Sequence, residues 1–357
     1  MVGTSRFTEI LTEQEQLNGK RMSQYILKRI LLFIPTLIAI TIITFTISRL
    51  APGDPTELKV GVSGENMKAD EKSQLNQQAK DYYKQKWGLD KPIYMQYFIW
   101  LGNMATGDFG NSFVDNRPVM SKIMERIPVT ASISLMVIAF SYIIAIPIGI
   151  YSAARQYSAM DRFSTFMLFV FYSLPSFWVA TMAIVFLANV EYIKIFPTSG
   201  LYTLGSENWS FFEKLWDRAY HLILPVTCSS LASFAFLSRQ MRGSMLEVIR
   251  QDYVRTARAK GLTERTVVLK HALRNSLIPI ITLLGGILPS LVGGSVIVES
   301  IFSIPGIGQL AFQALIARDY PLIMAELVLA AVLTMLGLLL VDILYAIVDP
   351  RIAFSKK

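Results

Sequence analysis

Long uncharged runs alternate with short charged stretches along most of this chain. Nineteen uncharged residues separate Arg29 from Arg49, and 28 separate Arg126 from Arg155. Another 28 lie between Arg162 and Glu191, 20 between Arg218 and Arg239, and 24 between Arg274 and Glu299. The last run, Tyr320 to Val348, holds only Glu326 and Asp342. A membrane-crossing helix needs about 20 mainly apolar residues. The pattern therefore predicts an all-α membrane protein with six transmembrane helices. The first, over 26–49, is too long for a removable signal peptide and has no small-residue cleavage site after it.

The polar stretches divide the rest. Residues 1–25 form a polar N-terminal extension without clear periodicity. After the first run, Pro52, Gly53 and Pro55 stop the helix and turn the chain. Loop 50–126 follows, with a polar, helix-favouring segment over 65–87. Trp87, Tyr94, Tyr97, Phe98 and Trp100 come next, as in an element lying at a membrane interface or against an external partner. The five later helices form a core over 127–350, and 351–357 is a short tail. Within the core, loop 191–219 places Trp209, Phe212 and Trp216 at helical spacing, which predicts an interfacial helix. His221 sits at that boundary. Pro and paired Gly inside the runs, Gly285–Gly286 and Gly293–Gly294 among them, allow kinks and close helix crossings.

Composition narrows the chemistry. The chain is 53% hydrophobic, with a mean hydropathy of +0.44, which soluble domains rarely reach. One cysteine, Cys228, excludes an internal disulfide framework and a thiolate metal site. Two histidines, His221 and His271, leave little for a metal centre. The net charge of +8 follows topology in such a protein rather than nucleic-acid binding. Nine Lys and Arg fall between Arg239 and Arg274, against one, Arg318, in the loop after the fifth run. Segment 239–274 is therefore expected in the cytoplasm. An even number of crossings puts both termini there too, and loop 50–126 outside. Asp342 near the cytoplasmic end of the last run is read as an interhelical hydrogen-bonding group.

The basic segment has its own pattern. Met245, Leu246, Ile249, Tyr253 and Ala257 recur near helical spacing. They predict one helix over about 241–260, with Arg242, Arg250, Arg255 and Arg258 on other faces. Gly261 stands where a helix C-terminus is expected. Thr263 can cap a following helix, with Glu264 in its first turn. The result is a helical hairpin at the membrane surface. Charge alone allows it to be an anchor on anionic headgroups. The rigid attachment to two spans allows it to be a docking element that moves them.

The stretch "DYVRTARAKGLTERTVVLKHALRNSLIP" resembles the cytoplasmic coupling motif of permease subunits of ABC importers, in its dipeptide/oligopeptide form. Ala257 and Gly261 match the general pattern E-A-A-x-x-x-G; Arg255 and Thr256 replace its first two positions. In the later I-x-L-P part His271 replaces Ile, Leu273 matches and Arg274 replaces Pro. "LAPGDP", "GDFGNSF", "IPIGIYSA", "SLPSFW", "HLILP", "ESIFSIPGIGQL", "ARDYP" and "VDILYAIVDPRI" extend the resemblance from residue 23 to residue 352. It implies a type I importer permease fold, with an extracytoplasmic insertion between helices 1 and 2, in a bacterial or archaeal cytoplasmic membrane. It also implies a second homologous permease subunit, two cytoplasmic ATPases that bind ATP and Mg, and an extracytoplasmic solute-binding protein. The implied cargo is a di- or oligopeptide, with nickel chelates, glutathione or oligosaccharides as alternatives. The implied ATPase contacts are Asp252, Tyr253, Thr256, Ala257, Lys260 and Gly261.

Other classes fit less well. "NGKR" at 18–21 lacks both the upstream Gly and the Ser or Thr of a phosphate loop, so no nucleotide chemistry is expected in this chain, and no cofactor or metal. Glu326 and Asp342 are 16 residues apart, about 24 Å along a helix, so they cannot form a catalytic dyad. Ser295 has no histidine within a span to activate it. The chain is expected not to be an enzyme by itself. A membrane receptor or scaffold would also explain spans plus a docking hairpin.

Overall fold

In the computed structural model the described residues are 2–50, a few positions between 78 and 85, and 90–348. Side chains are described from residue 26 onward and up to residue 344. Most of the expected polar helix at 65–87, Trp87 and the tail 351–357 lie outside them. Among the described residues five helices are long and apolar enough to cross a membrane: Ile26–Leu50, Val119–Ala154, Phe211–Ile249, Ile278–Ile301 and Tyr320–Leu344. They are the first, second, fourth, fifth and sixth spans below. The first continues backwards without a break, so that the backbone of the N-terminal extension is helical from Val2.

The third apolar run is not straight. Ala159–Ser173 and Ser176–Leu187 meet at 97°, and together they supply the sixth expected crossing. The cause is local. Pro175 restricts the residue before it to extended backbone, and Leu174 has φ −79° and ψ 127°. The fifth span is also interrupted. A 3-10 turn covers Leu284–Gly286, and Gly294 has φ +59°. That conformation suits glycine alone among ordinary residues. The predicted interfacial helix exists only as the first turns of the fourth span. It starts at Phe211 under a capping box made by Ser210 and Glu213. Phe212 and Trp216 are exposed there, whereas His221 is buried, with Nδ1 2.9 Å from the Asp217 carbonyl oxygen. His221 is therefore a packed core residue rather than an interface one.

Three of the polar contacts among the described residues set the register of the first, second, fifth and sixth spans. Arg29 of the first span pairs with Asp342 of the last, Nε to Oδ2 3.0 Å, and its Nη2 donates to Oδ1 at 3.3 Å, so the acid expected to bond between helices does so. At the other end Asp319 is fully buried just before the last span. It accepts hydrogen bonds from the Ser112 hydroxyl and, at 2.9 Å, from the Phe113 N–H. This ties the "GDFGNSF" turn to "ARDYP". Phe45, Tyr320 and Met324 close over that junction together with Tyr97 and Trp100. The aromatic element Ile93–Ala105 thus turns half its rings onto the first span and leaves Tyr94 and Phe98 exposed.

Glu299 makes the third contact. It is 2% exposed. Its carboxylate accepts from the Thr130 hydroxyl at 3.0 Å and from the Gln309 N–H at 2.9 Å. Thr130 in turn accepts from the Ile307 N–H at 2.7 Å. A Cβ on Gly306 would overlap the carboxyl group, and one on Gly294 would lie 2.7 Å from Oε1. A buried carboxylate is tolerated only with its hydrogen bonds made. The glycines let the backbone come close enough to make them.

Candidate coupling site

At Ile249 the fourth span ends, and Arg250 and Gln251 separate it from a short helix, Asp252–Ala259. The continuous helix expected over 241–260 is therefore two helices. Gln251 is extended, with ψ 149°, and Asp252 sits in the first turn of the new helix. An acid there complements the exposed N–H groups and the helix dipole. The interruption divides the expected apolar face. Met241 and Met245 enter a cluster with Ala145, Ala153, Val268, Ala272 and Ile280, which fuses the base of the fourth span to the second and fifth. Val254 and Ala257 form a separate buried foot with Val267.

Gly261 follows the C-terminus of the short helix with φ +77°. Its N–H bonds the Arg258 carbonyl at 2.9 Å, and the Lys260 N–H bonds that of Thr256 at 3.1 Å. The left-handed residue reverses the chain. Thr263 caps the next turn, accepting from the Thr266 N–H. Val267–Ala272 then continue as a π-helical stretch into the fifth span. Across the reversal Arg258 grips Glu264 with two nitrogens, at 2.7 and 3.1 Å. Hydrogen bonds from Arg258 hold the Glu264 carboxyl below the usual carboxylate range, and the same bonds raise Arg258. The pair is solvent-facing, so its worth is small, about 0.2–1 kcal/mol.

The six residues named from the sequence divide by environment. Asp252, Thr256, Lys260 and Gly261 are exposed along the short helix and the turn that follows it. The Thr256 hydroxyl returns to the Asp252 carbonyl oxygen at 2.9 Å, and Asp252 stands 3.4 Å from Arg255. Tyr253 is 42% exposed, and its hydroxyl accepts a 2.7 Å hydrogen bond from Asn275 at the head of the fifth span. Ala257 is 5% exposed and points into the foot. It supports the surface rather than forming part of it, because the helix turns its 254 and 257 positions inward.

Two features escaped sequence reasoning. One is the Arg258–Glu264 pair, six residues apart across a reversal, where no helical spacing applies. Opposite charges flanking Gly261 were the available signal. The other is Arg242, whose Nε and Nη2 lie 3.0 and 3.1 Å from the two carboxylate oxygens of Asp161. Asp161 is 2% exposed and also accepts from the Tyr157 N–H at 2.9 Å. This joins the base of the fourth span to the start of the bent third run. Ser244 adds a 2.8 Å hydrogen bond to the Ser276 carbonyl oxygen. The hairpin is thus the exposed end of a body to which spans two to five are fastened.

Two family models match this chain end to end along most of its length. Residues 22–134 match the N-terminal part of the binding-protein-dependent transport system membrane component, and residues 145–354 match the inner membrane component itself. The chain belongs to the binding-protein-dependent transport permease family. Relatives agree over nearly their whole length. The permease is 44% identical to the oligopeptide transport system permease protein AppB of Bacillus subtilis, over 93% of this chain and all of the relative. It is 37% identical to a dipeptide transport system permease protein DppB of Alkalihalophilus pseudofirmus, again over 93% of this chain and all of the relative. The corresponding protein of Escherichia coli is 34% identical over 94% of this chain and all of the relative. The permease is a multi-pass membrane protein of a transport system.

Proposed function

We propose that this permease is one half of the membrane path of an ATP-driven importer for di- or oligopeptides, and that the hairpin around Gly261 is where an ATPase drives it. The carrying observation is the hairpin's construction. Asp252, Tyr253, Thr256 and Lys260 are presented outward on a foot that is completely buried at Val254 and Val267. That foot packs against Val248, which also packs against the core at the base of the spans, so a push on the exposed side is transmitted instead of absorbed. A headgroup anchor would need only charge and no such foundation. The peptide cargo follows from the names of relatives that match over their entire length.

The remaining assembly follows from the same reading. A second homologous permease completes the path. Two ATPases bind ATP and Mg on the cytoplasmic side, and a solute-binding protein delivers cargo to the other. The Lys and Arg excess over 239–274 supports a cytoplasmic position for the hairpin and both termini. It supports an outer position for the "GDFGNSF" turn and helix Ile93–Ala105.

The direct test is cross-linking in the full complex. With Cys228→Ser as background, Thr256→Cys and Lys260→Cys should each cross-link to the ATPase subunit, and Leu204→Cys at the opposite end should not. The isolated permease should hydrolyse no ATP. Hydrolysis by the isolated chain, or cross-linking from Leu204 in place of the hairpin positions, would overturn the reading.

A further inference from the structure

The end of the molecule opposite the hairpin contains a cavity of about 410 Å³, where the first span, helix Ile93–Ala105, the 108–116 turn and the start of the last span meet. Arg49, Lys91, Trp100, Asn103, Asn111 and Asn116 are among its lining residues. Several donors here have no acceptor among the described residues. Arg49 has no hydrogen-bond or ion-pair partner among the described residues, and its Nε is buried. Its guanidinium lies 5.1 Å over the Phe45 ring. Among the described residues the indole N–H of Trp100 is buried without a partner, and so is the hydroxyl of Tyr320, which is outside the lining but directly precedes the lining residue Pro321. Leaving such a group unpaired in a buried place is costly. Phe45, Trp100 and Tyr320 belong to one cluster, so these orphaned groups converge on one place.

The balance of charge points the same way. Lys91 adds a second cation to the lining. Asp108 lines the cavity too, with its Oδ1 accepting from the Gly110 N–H at 2.8 Å; its negative charge offsets one cation and leaves the lining net positive. A group of unpaired donors in a net positive lining calls for an anionic oxygen acceptor. Resting on the peptide reading above, we propose that this cavity binds the free C-terminal carboxylate of a peptide on the outer side of the membrane. Arg49 and Trp100 hold the carboxylate. The amides of Asn103, Asn111 and Asn116 suit the peptide groups behind it. A lipid phosphate shares the charge but has no amides to match them. The volume is that of a small-ligand pocket.

The test measures binding to the purified membrane complex, without solute-binding protein, in phosphatidylcholine nanodiscs. The probes are radiolabelled tri-alanine and its C-terminal amide, read by equilibrium dialysis. The acid should bind about tenfold more tightly than the amide, the worth of one charge-assisted hydrogen bond. Arg49→Gln should remove that difference, Trp100→Phe should reduce it, and Arg49→Lys should keep most of it. Equal binding of acid and amide by the unaltered complex overturns the site. So does an acid preference that survives Arg49→Gln, or its disappearance when phosphatidylglycerol is added to the discs, which would assign the cavity to a headgroup. Uptake of tri-alanine by the complete importer in cells tests the peptide reading separately. Its absence overturns that reading and the site with it, whereas uptake without an Arg49-dependent preference overturns the site alone.

Discussion

Arg242 and Asp161 are 81 residues apart in sequence and face each other in a two-point ion pair, with Asp161 almost completely buried. Nothing else of opposite charge is hydrogen-bonded to that carboxylate among the described residues; its neutral partners include the Tyr157 N–H. Arg242 lies in the helix that leads directly to the hairpin, and Asp161 opens the bent third run. Movement of the first must therefore carry the second. Removing Arg242 would strand a buried charge. The cost approaches the roughly 3 kcal/mol at the low end for broken buried pairs, since the arginine is partly exposed. Arg242→Ala should lower the thermal stability of the complex and uncouple ATP hydrolysis from uptake. Asp161→Asn should be milder, because a neutral amide can still bond Tyr157. Assays of uptake and ATPase in the same reconstituted vesicles check this. Normal coupling in Arg242→Ala would mean that the pair is not a transmitting contact.

Gly261 gives a separable prediction. A Cβ placed there meets nothing within 4 Å, so the cost of substitution comes from φ +77° and not from crowding. A left-handed conformation costs most residues about 1–2 kcal/mol, and a β-branched one more. Uptake should fall in the order Gly261→Asn, Gly261→Ala, Gly261→Val, at equal membrane abundance. A flat response across the three would show that the angle at this residue does not matter.

The glycines of the fifth span are not equivalent. A Cβ on Gly285 would lie 2.9 Å from Val341 Cγ2, and one on Gly337 would overlap the Gly285 carbonyl oxygen. Gly286 and Gly293 have open space around the same position. Gly285→Ala and Gly337→Ala should therefore separate the fifth and sixth spans and reduce stability by about 1–3 kcal/mol, as overpacking does. Gly286→Ala should be nearly neutral. Thermal unfolding of the detergent-purified complex distinguishes the pairs.

Glu264 makes the hairpin sensitive to acid in a defined direction. Hydrogen bonds from Arg258 depress its pKa. A depressed folded value means stability that is present above the unfolded value, near 4.3, and is lost as pH falls through the folded value. Amide exchange of residues 258–266, corrected for intrinsic rate, should be constant between about pH 6 and 8 and should rise only below about pH 4. Glu264→Gln should remove that acid step. A step near neutral pH would contradict the assignment.

Orientation can be read by thiol chemistry. In the Cys228→Ser background, Asn76→Cys should react with an impermeant reagent in intact cells, and Arg265→Cys only after lysis, because the basic loops stay inside. The reverse pattern would turn the molecule over.

Much of this architecture was legible in the chain's polarity alone. Uncharged runs of 19 to 28 residues announce crossing helices, because lipid admits nothing else with so few polar groups. Gly261, Thr263 and Glu264 were readable because capping is a local matter, set by conformation and dipoles within a turn. Tertiary structure decided everything that depends on distant partners. It split the helix expected over 241–260 and turned Ala257 inward, since the foot needed an apolar contact with Val267. It chose Gly285 over Gly286 for the close crossing, because only one face of the fifth span meets the sixth. It also paired Arg242 with Asp161, Arg29 with Asp342, and Glu299 with Thr130. Charge and spacing could mark those groups as polar within an apolar context, but their partners lie 81, 313 and 169 residues away. Only packing brings them within hydrogen-bond reach.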